Sequence, residues 1–351
     1  MSAPTRVAFS AISLLGALAL LLALPYMMGV NWAGIRHQLA LLSLDELTWL
    51  TALWLAGLGA YTVVLTASLP GLNHPHAFML NAVGSAVSNL LPFGGAAGVA
   101  ATFAMARGWG HGNAAIAVST LVTGVWNVMA RLLLPAVGIV ALMVAGGLPG
   151  RDMAALAATA ATALVGIVVL LALALRSEAA ARTVDRGLRR VALRLPSRPR
   201  GLLLGADGAM LDVRNRSVDV LRTGWKGLTF GMASYLVLQA LLLMACLEAA
   251  GASVGVAEVV AVFAINRMLT TAVITPSGAG ISETGTAALL LHFGVPAVPA
   301  AAATLLYAFY TYAIEVPAGA AAWSAWILRR RQRRRTVPVS GPHRELTLVK
   351  K

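Results

Sequence analysis

The chain is short of charge, of acid and of cysteine. Of its 351 residues only 11% are Asp, Glu, Lys or Arg, 59% are apolar, and mean hydropathy is +0.79. A soluble domain needs a charged shell, so this balance excludes one and calls for a polytopic membrane protein. The single cysteine, Cys246, excludes a disulfide framework and a cysteine-rich metal site; lying in an apolar run, it is expected to pack. Acids number 13 against 27 Lys and Arg, a formal net charge of +14. Such an excess would suit nucleic acid if it lined one surface. Instead 12 basic residues fall between Arg176 and Lys226 and 9 from Arg329 onward. Clusters of that kind beside apolar runs follow the positive-inside rule and attract anionic lipid, so membrane lipids are the expected partners and nucleic acid is not.

Enzyme signatures are also missing. The sequence holds no Walker loop, no G-x-S-x-G, no H-E-x-x-H and no strand pattern for a dinucleotide fold. His74, His76 and His111 match no metal-ligand spacing and read as an interfacial turn. No enzymatic activity, cofactor or metal is therefore expected.

What the chain does have is long apolar runs. Full spans are expected at Val7–Gly29, Leu47–Leu69, Asn113–Ala145 (with Pro135 as a kink), Asp152–Leu175, Trp225–Ala249 and Pro296–Ile327. Val7–Gly29 is too long for a signal-peptide core and is expected to be retained as the first span. Trp32, Trp49 and Trp54 suit an interfacial belt. Thr183–Leu195 and Asp207–Leu221 mix charge with apolar residues at helical spacing and are expected to lie on the membrane surface. The organisation expected is a first span with an interfacial segment (1–46), a first half of the membrane domain (47–175), a basic cytoplasmic loop (176–224), a second half (225–328) and a basic cytoplasmic tail (329–351).

Two stretches interrupt this pattern. Leu90–Gly98 reads L-L-P-F-G-G-A-A-G, and Thr275–Gly280 reads T-P-S-G-A-G. Pro and Gly break helices, and a break inside hydrocarbon survives only where protein or water shelters the freed backbone. The flanking arms are too short to cross. Ala77–Leu91, for example, would rise only about 22 Å against a core of about 30 Å. The expected fold is therefore all-α, with about six full transmembrane helices plus two re-entrant broken-helix hairpins. With the N-terminus and both basic clusters inside, the first hairpin opens from the cytoplasm and the second from outside. That is an inverted repeat, with a site where the broken helices meet. A shift of 184 residues supports the repeat. It lays Pro276 on Pro92, Gly278 on Gly94, Thr286 on Thr102, Gly294 on Gly110, Thr311 on Asn127 and Glu315 on Arg131.

Polar residues mark where a substrate would sit. Ser119, Thr123, Asn127 and Arg131 recur every four residues, and Thr304, Tyr307, Thr311 and Glu315 follow a similar spacing. Polar stripes on spanning helices face a bundle interior or an aqueous path. Arg131 and Glu315 would either line a hydrophilic groove or pair with each other. Asn266 and Arg267 precede the second break and Glu283 follows it, placed either to balance charge or to cap a helix. The helix starts after Gly94, Gly95 and Gly98, and after Pro276, Gly278 and Gly280, would offer free N–H groups to an anion such as a lipid phosphate. The same glycines could instead serve tight helix packing.

At both breaks the sequence resembles the membrane region of lysylphosphatidylglycerol synthases and related flippase-like integral membrane proteins. The likeness rests on N-L-L-P-F-G-G-A-A-G-V-A from Asn89, A-R-G-W-G from Ala106 and Trp126-Asn127. In the second half it rests on T-P-S-G-A-G-I-S-E-T-G from Thr275 and H-F-G-V-P from His292. It covers about Leu47 to Trp326 and implies a lipid-handling or lipid-translocating domain. Bifunctional relatives continue into a soluble aminoacyl-transferase domain; about twenty residues follow Arg331 here, so that activity is not expected. Relatives often carry an acid and an Arg after the first glycine loop, where this chain has Ala97, Val99 and Ala101. Pro276, Gly278, Gly280 and Glu283 follow the family pattern. The function expected is a lipid flippase or scramblase-like protein of a bacterial inner membrane. It would handle a phospholipid or glycolipid headgroup through Pro92, Gly94, Gly95, Gly98, Asn127, Arg131, Asn266, Arg267, Pro276, Gly278, Gly280, Glu283, Thr311 and Glu315. A proton-coupled transporter of a small polar solute is the alternative. A second copy of the chain or an envelope enzyme could join it as partner.

Overall fold

A computed structural model describes residues 15–16, 18–91, 94–146, 155, 158–159, 161–169, 209–270 and 276–335. The regular structure among the described residues is all helical, with no strand. Helix α1 (Leu18–Met27) bends by 96° into α2 (Trp32–Ala40). Then come α3 (Leu44–Ser68), α4 (His74–Leu90), α5 (Gly94–Gly108) and α6 (Asn113–Val144). The second half holds α7 (Ala209–Ala249), α8 (Val256–Leu269), a 3₁₀ turn (Pro276–Gly278), α9 (Ile281–His292), α10 (Ala297–Ala308), a π turn (Phe309–Ala313) and α11 (Glu315–Arg335). The expected surface helix Thr183–Leu195 and most of the expected span Asp152–Leu175 lie outside the described residues; 161–169 of the latter is helical.

Four helical stretches are long and apolar enough to cross a membrane: Leu44–Ser68, Asn113–Val144, Asn215–Ala249 and Ala297–Gln332. The bent pair α1 and α2 makes a fifth if it counts as one span. The sides of these helices that no neighbour covers carry apolar residues, as a lipid-facing surface requires. On α6, for example, Leu121, Val128, Leu133, Val137 and Val140 are exposed.

Local chemistry sets the helix starts. Ser43 and Glu46 form a capping box, in which the Ser43 hydroxyl accepts from the Glu46 amide at 3.2 Å and the Glu46 carboxylate accepts from the Ser43 amide at 2.7 Å. Asn73 caps α4 by accepting from the His76 amide at 2.9 Å. The histidine-bearing turn before α4 is pinned as well. His74 Nδ1 lies 2.8 Å from the Thr62 hydroxyl, and His76 stacks on Trp109 with ring centroids 4.0 Å apart.

Two expected boundaries move. The expected surface helix Asp207–Leu221 does not stand apart where it is described: from Ala209 it runs on into the next span as α7. Glycine costs a helix interior only about 1 kcal/mol, and Gly224, Gly227 and Gly231 serve a packing purpose here. A Cβ on them would meet the Ala67 carbonyl at 2.5 Å, Ala67 Cβ at 2.8 Å and the Val64 amide at 2.9 Å, so α7 crosses α3 at backbone distance. In the first hairpin, α5 begins at Gly94, so the glycines stand inside its first turns and not in the break. Trp54 also differs from expectation, being buried in the core while Trp49 stays exposed.

Packing between the halves is reciprocal. Helices α4 and α5 pack on each other and α4 on α11, while α8 and α9 pack on each other and α8 on α6. The main core joins Leu50, Leu53 and Leu58 of α3 to Leu243 and Leu247 of α7, Phe263 of α8 and the fully buried Ala300–Ala303 of α10. Cys246 is buried within it, as expected.

Candidate functional site

A cavity of about 440 Å³ opens where the two hairpins face the long helices. Volumes of this size hold small ligands. Eight expected site residues line it: Gly95, Gly98, Asn127, Arg131, Asn266, Arg267, Thr311 and Glu315. The α6 stripe behaves as its spacing implies, with Ser119, Thr123, Asn127 and Arg131 all facing the cavity. From the second half, Tyr307, Thr311 and Glu315 join them, while Thr304 is buried elsewhere and donates to the Ala300 carbonyl.

The two arginines dominate the chemistry. Arg267 is 9% exposed, and Arg131 is partly buried. Neither forms a salt bridge with Glu315, so the cross-half ion pair is not formed, and the Nε atom of each guanidinium is buried with no hydrogen-bond partner. The Arg267 Nη2 donates to the Tyr235 hydroxyl at 3.4 Å, and its guanidinium lies over the rings of Tyr235 and Phe263 at 5.8 and 6.0 Å. Two further buried polar atoms without partners, Gln239 Oε1 and the Tyr307 hydroxyl, belong to other cavity-lining residues. Buried polar atoms are nearly always bonded, so four orphans on residues of one lining set this cavity apart.

Glu315 is held by a different residue. Asn89 Nδ2 donates to its carboxylate at 2.9 Å and to the Thr311 carbonyl at 3.2 Å, while the Asn89 Oδ1 accepts from the Ser277 hydroxyl at 2.7 Å. One amide at the end of α4 therefore ties the second break to the last span. The backbone of Ser277 is left-handed, with φ of 50°, and the Tyr312 hydroxyl donates to its carbonyl at 3.4 Å.

Gly94, Gly278, Gly280 and Glu283 do not line the cavity. Glu283 is 3% exposed; its carboxylate accepts from the Gly280 amide and, at 3.1 Å, from the Ser282 hydroxyl. It thus caps α9 and occupies the N–H that an anion would need. Gly278 and Gly280 have φ of 77° and 87°, which suits glycine. Pro276 opens the 3₁₀ turn and Pro92 lies outside the described residues. Gly94 is buried, and a Cβ there would meet the Ser88 carbonyl at 2.3 Å, so it lets α5 approach α4. Asn266 lines the cavity while its amide donates to Thr286 at 3.0 Å.

Several lining residues escaped the sequence reading. Asn81, Ser85, Ser88 and Asn89 recur at helical spacing on α4, a stripe as regular as that on α6. Tyr235 and Gln239 form an i, i+4 pair on α7, bonded to each other at 3.3 Å. Tyr61, which accepts from Asn127 at 3.3 Å and meets the Tyr235 ring edge-on, stands alone in an apolar helix and carries no sequence signal.

Comparison with curated proteins returned no match. The family model described as the lysylphosphatidylglycerol synthase TM region matches residues 7–319. That match spans both hairpins, the cavity and the long helices around it. The chain is a multi-pass membrane protein and belongs to the lysylphosphatidylglycerol synthase transmembrane-region family.

Proposed function

We propose that the chain is a non-enzymatic lipid flippase or scramblase-like protein of a bacterial inner membrane, taking a phospholipid or glycolipid headgroup into the cavity between its halves. The observation that carries this reading is the pair of guanidinium groups, Arg131 and Arg267, which line one cavity and whose buried Nε atoms have no hydrogen-bond partner. An ion left unpaired inside a membrane domain is costly, and such residues mark substrate paths. A lipid phosphate supplies the counter-charge to the two guanidinium groups, its chains remaining in the bilayer while the headgroup occupies the cavity. Glu315 balances part of the charge, and Asn127, Asn266 and Thr311 add polar contacts. Open space beside Gly95 lets the headgroup approach the first hairpin, while Gly98 packs against Gly84 and Ser88 of α4.

The two short-armed hairpins act as re-entrant halves of an inverted repeat. Reciprocal packing of α4 on α11 and of α8 on α6 supports this, as does the start of α6 at Asn113 and of α10 at Ala297, 184 residues on. Both termini and the basic loop lie in the cytoplasm, where the loop contacts anionic lipid.

Reconstitution into liposomes carrying a fluorescent lipid tests the function. Quenchable signal from the inner leaflet should appear with the protein and fall in Arg131→Ala. Unchanged movement in that variant overturns the role of Arg131; no movement with the native chain overturns the function. Glu315 in the cavity wall keeps one other reading specific, a transporter of a small polar solute coupled to protons. Solute uptake driven by a pH gradient, without lipid movement, would establish it instead.

A further inference from the structure

The cavity has a floor and an open side. Its floor is apolar: Leu69, Leu80, Ala106 and Ile116 line it and belong to one buried cluster with Met105 and Trp326, which closes the end where α5 turns into α6. Nothing enters there without breaking that cluster. The open side is different. Of the lining residues only Gly95, Val99 and Gly124 are exposed, the first two on α5 and the third on α6. A Cβ built on Gly95 or Gly124 would meet nothing within 4 Å among the described residues, so the two helices part beyond their shared turn. Thr102, Thr120 and Asn127 stand half-buried behind the gap, and Asn127 is near the middle of the 32-residue α6. The gap therefore opens at hydrocarbon depth, beside the exposed Leu121 and Val128. A polar wall that looks onto hydrocarbon is costly unless something polar comes to fill it.

The same seam in the second half is shut. A shift of 184 residues carries Val99 to Glu283, Thr102 to Thr286, Thr120 to Thr304 and Gly124 to Ala308. Those four are 3%, 1%, 1% and 7% exposed. Helices α9 and α10 pack on each other, and their threonines are satisfied within the protein. Thr286 accepts from the Asn266 amide at 3.0 Å, and Thr304 donates to the Ala300 carbonyl at 2.8 Å. One half is thus parted, and the other closed, at matching positions of the chain.

Resting on the proposed function, we propose that the gap between α5 and α6 is a lateral portal for a membrane lipid, and that the seam between α9 and α10 is the matching portal to the opposite leaflet, shut in this structure. The headgroup slides in sideways between Val99 and Gly124 while the chains stay in the bilayer. Halves of inverted orientation place the two portals at opposite depths, so a lipid that enters by one leaves by the other.

The test uses the full chain in phosphatidylcholine vesicles with phosphatidylglycerol that bears a diazirine on its headgroup. Bulk headgroups stay at the membrane surface, so photo-adducts on Thr123 or Asn127 report a headgroup that has entered. A chain carrying Val99→Cys and Gly124→Cys is then bridged with a reducible bis-maleimide. Bridging should cut both the adducts and fluorescent-lipid movement at least tenfold, and reduction should restore both, which misfolding would not allow. Gly124→Trp, which fills the gap by bulk, should lower both as well, whereas Leu133→Trp on the opposite side of α6 should not. Adducts that never form, or that survive both the bridge and Gly124→Trp, overturn the first portal. For the second, the thiol introduced by Thr304→Cys should be alkylated by N-ethylmaleimide at least tenfold faster than the native Cys246, which is as deeply buried. Equal rates overturn the second portal. Lipid movement that neither the bridge nor Gly124→Trp slows would overturn the portal and leave the proposed function standing. Bridge-sensitive adducts without lipid movement would do the reverse.

Discussion

Asn89→Ala should loosen the joint between the two hairpins. The substitution removes a hydrogen bond to the 8%-exposed Glu315 carboxylate, one to the Thr311 carbonyl and one from the Ser277 hydroxyl. A bond to a charged group contributes about 1.5 to 3 kcal/mol and a neutral one about 1 kcal/mol. Together they amount to at most about 3.5 to 5 kcal/mol, less whatever water in the adjoining cavity recovers by replacing the amide. Unfolding titrated with SDS in mixed micelles would measure it. A cycle with Glu315→Gln isolates the central contact, and the expected coupling is about 1.5 kcal/mol. Should Asn89→Ala cost less than about 1 kcal/mol, and should the two changes add without coupling, the amide does not hold the joint and the reasoning fails.

Further outcomes follow from the same geometry. Gly319→Ala places a Cβ against the Ala82 carbonyl at 2.5 Å and Ala86 Cβ at 2.3 Å, prising α11 from α4; thermal stability should fall by about 1 to 3 kcal/mol. Gly285→Ala meets only the tip of Leu269, at 2.1 Å, and a rotamer change should absorb most of that cost in the same melting assay. Glu283→Gln retains an acceptor for the Gly280 amide and should keep both fold and lipid movement, whereas Glu283→Ala orphans that amide and should lose about 1 to 3 kcal/mol in an SDS titration. An Arg131→Lys protein should bind phosphatidylglycerol more weakly than the native chain, because an ammonium cannot present the planar fork of donors that a guanidinium offers.

Apolarity reveals the helical class and most spans because a bilayer leaves the backbone so few choices. The α6 stripe was legible for the same reason: Thr123, Asn127 and Arg131 have nowhere inexpensive to go except inward. What the sequence hid depends on which neighbour each side chain meets. Glu315 and Arg131 looked like partners from their matching positions, yet Asn89, inside the glycine motif itself, takes the carboxylate. Glu283 had two readings, and only the direction of its carboxylate separates a cap from a ligand. Gly224 and Gly227 flank the expected start of a span at Trp225; their role at the α3 crossing is visible only once Ala67 stands opposite. Tyr61 is a single aromatic in an apolar helix, with no periodicity to betray it.

The π turn in the last span has a consequence for how the two halves compare. Its ring closes from the Ile314 amide to the Phe309 carbonyl at 2.9 Å, five residues back where an α turn would reach four. One additional residue at constant pitch rotates everything beyond it by about 100°. Glu315, first residue after the turn, therefore points a quarter-circle away from the azimuth that Arg131 has on the unbroken α6, although the two stand at matching places in the chain. Excising a single residue between Phe309 and Ala313 would close the π turn to an α turn and leave the Glu315 carboxylate at its present azimuth, on the Asn89 amide. The asymmetry between the halves is thus an indel in phase, one residue deep, and it decides which side chain the acid faces.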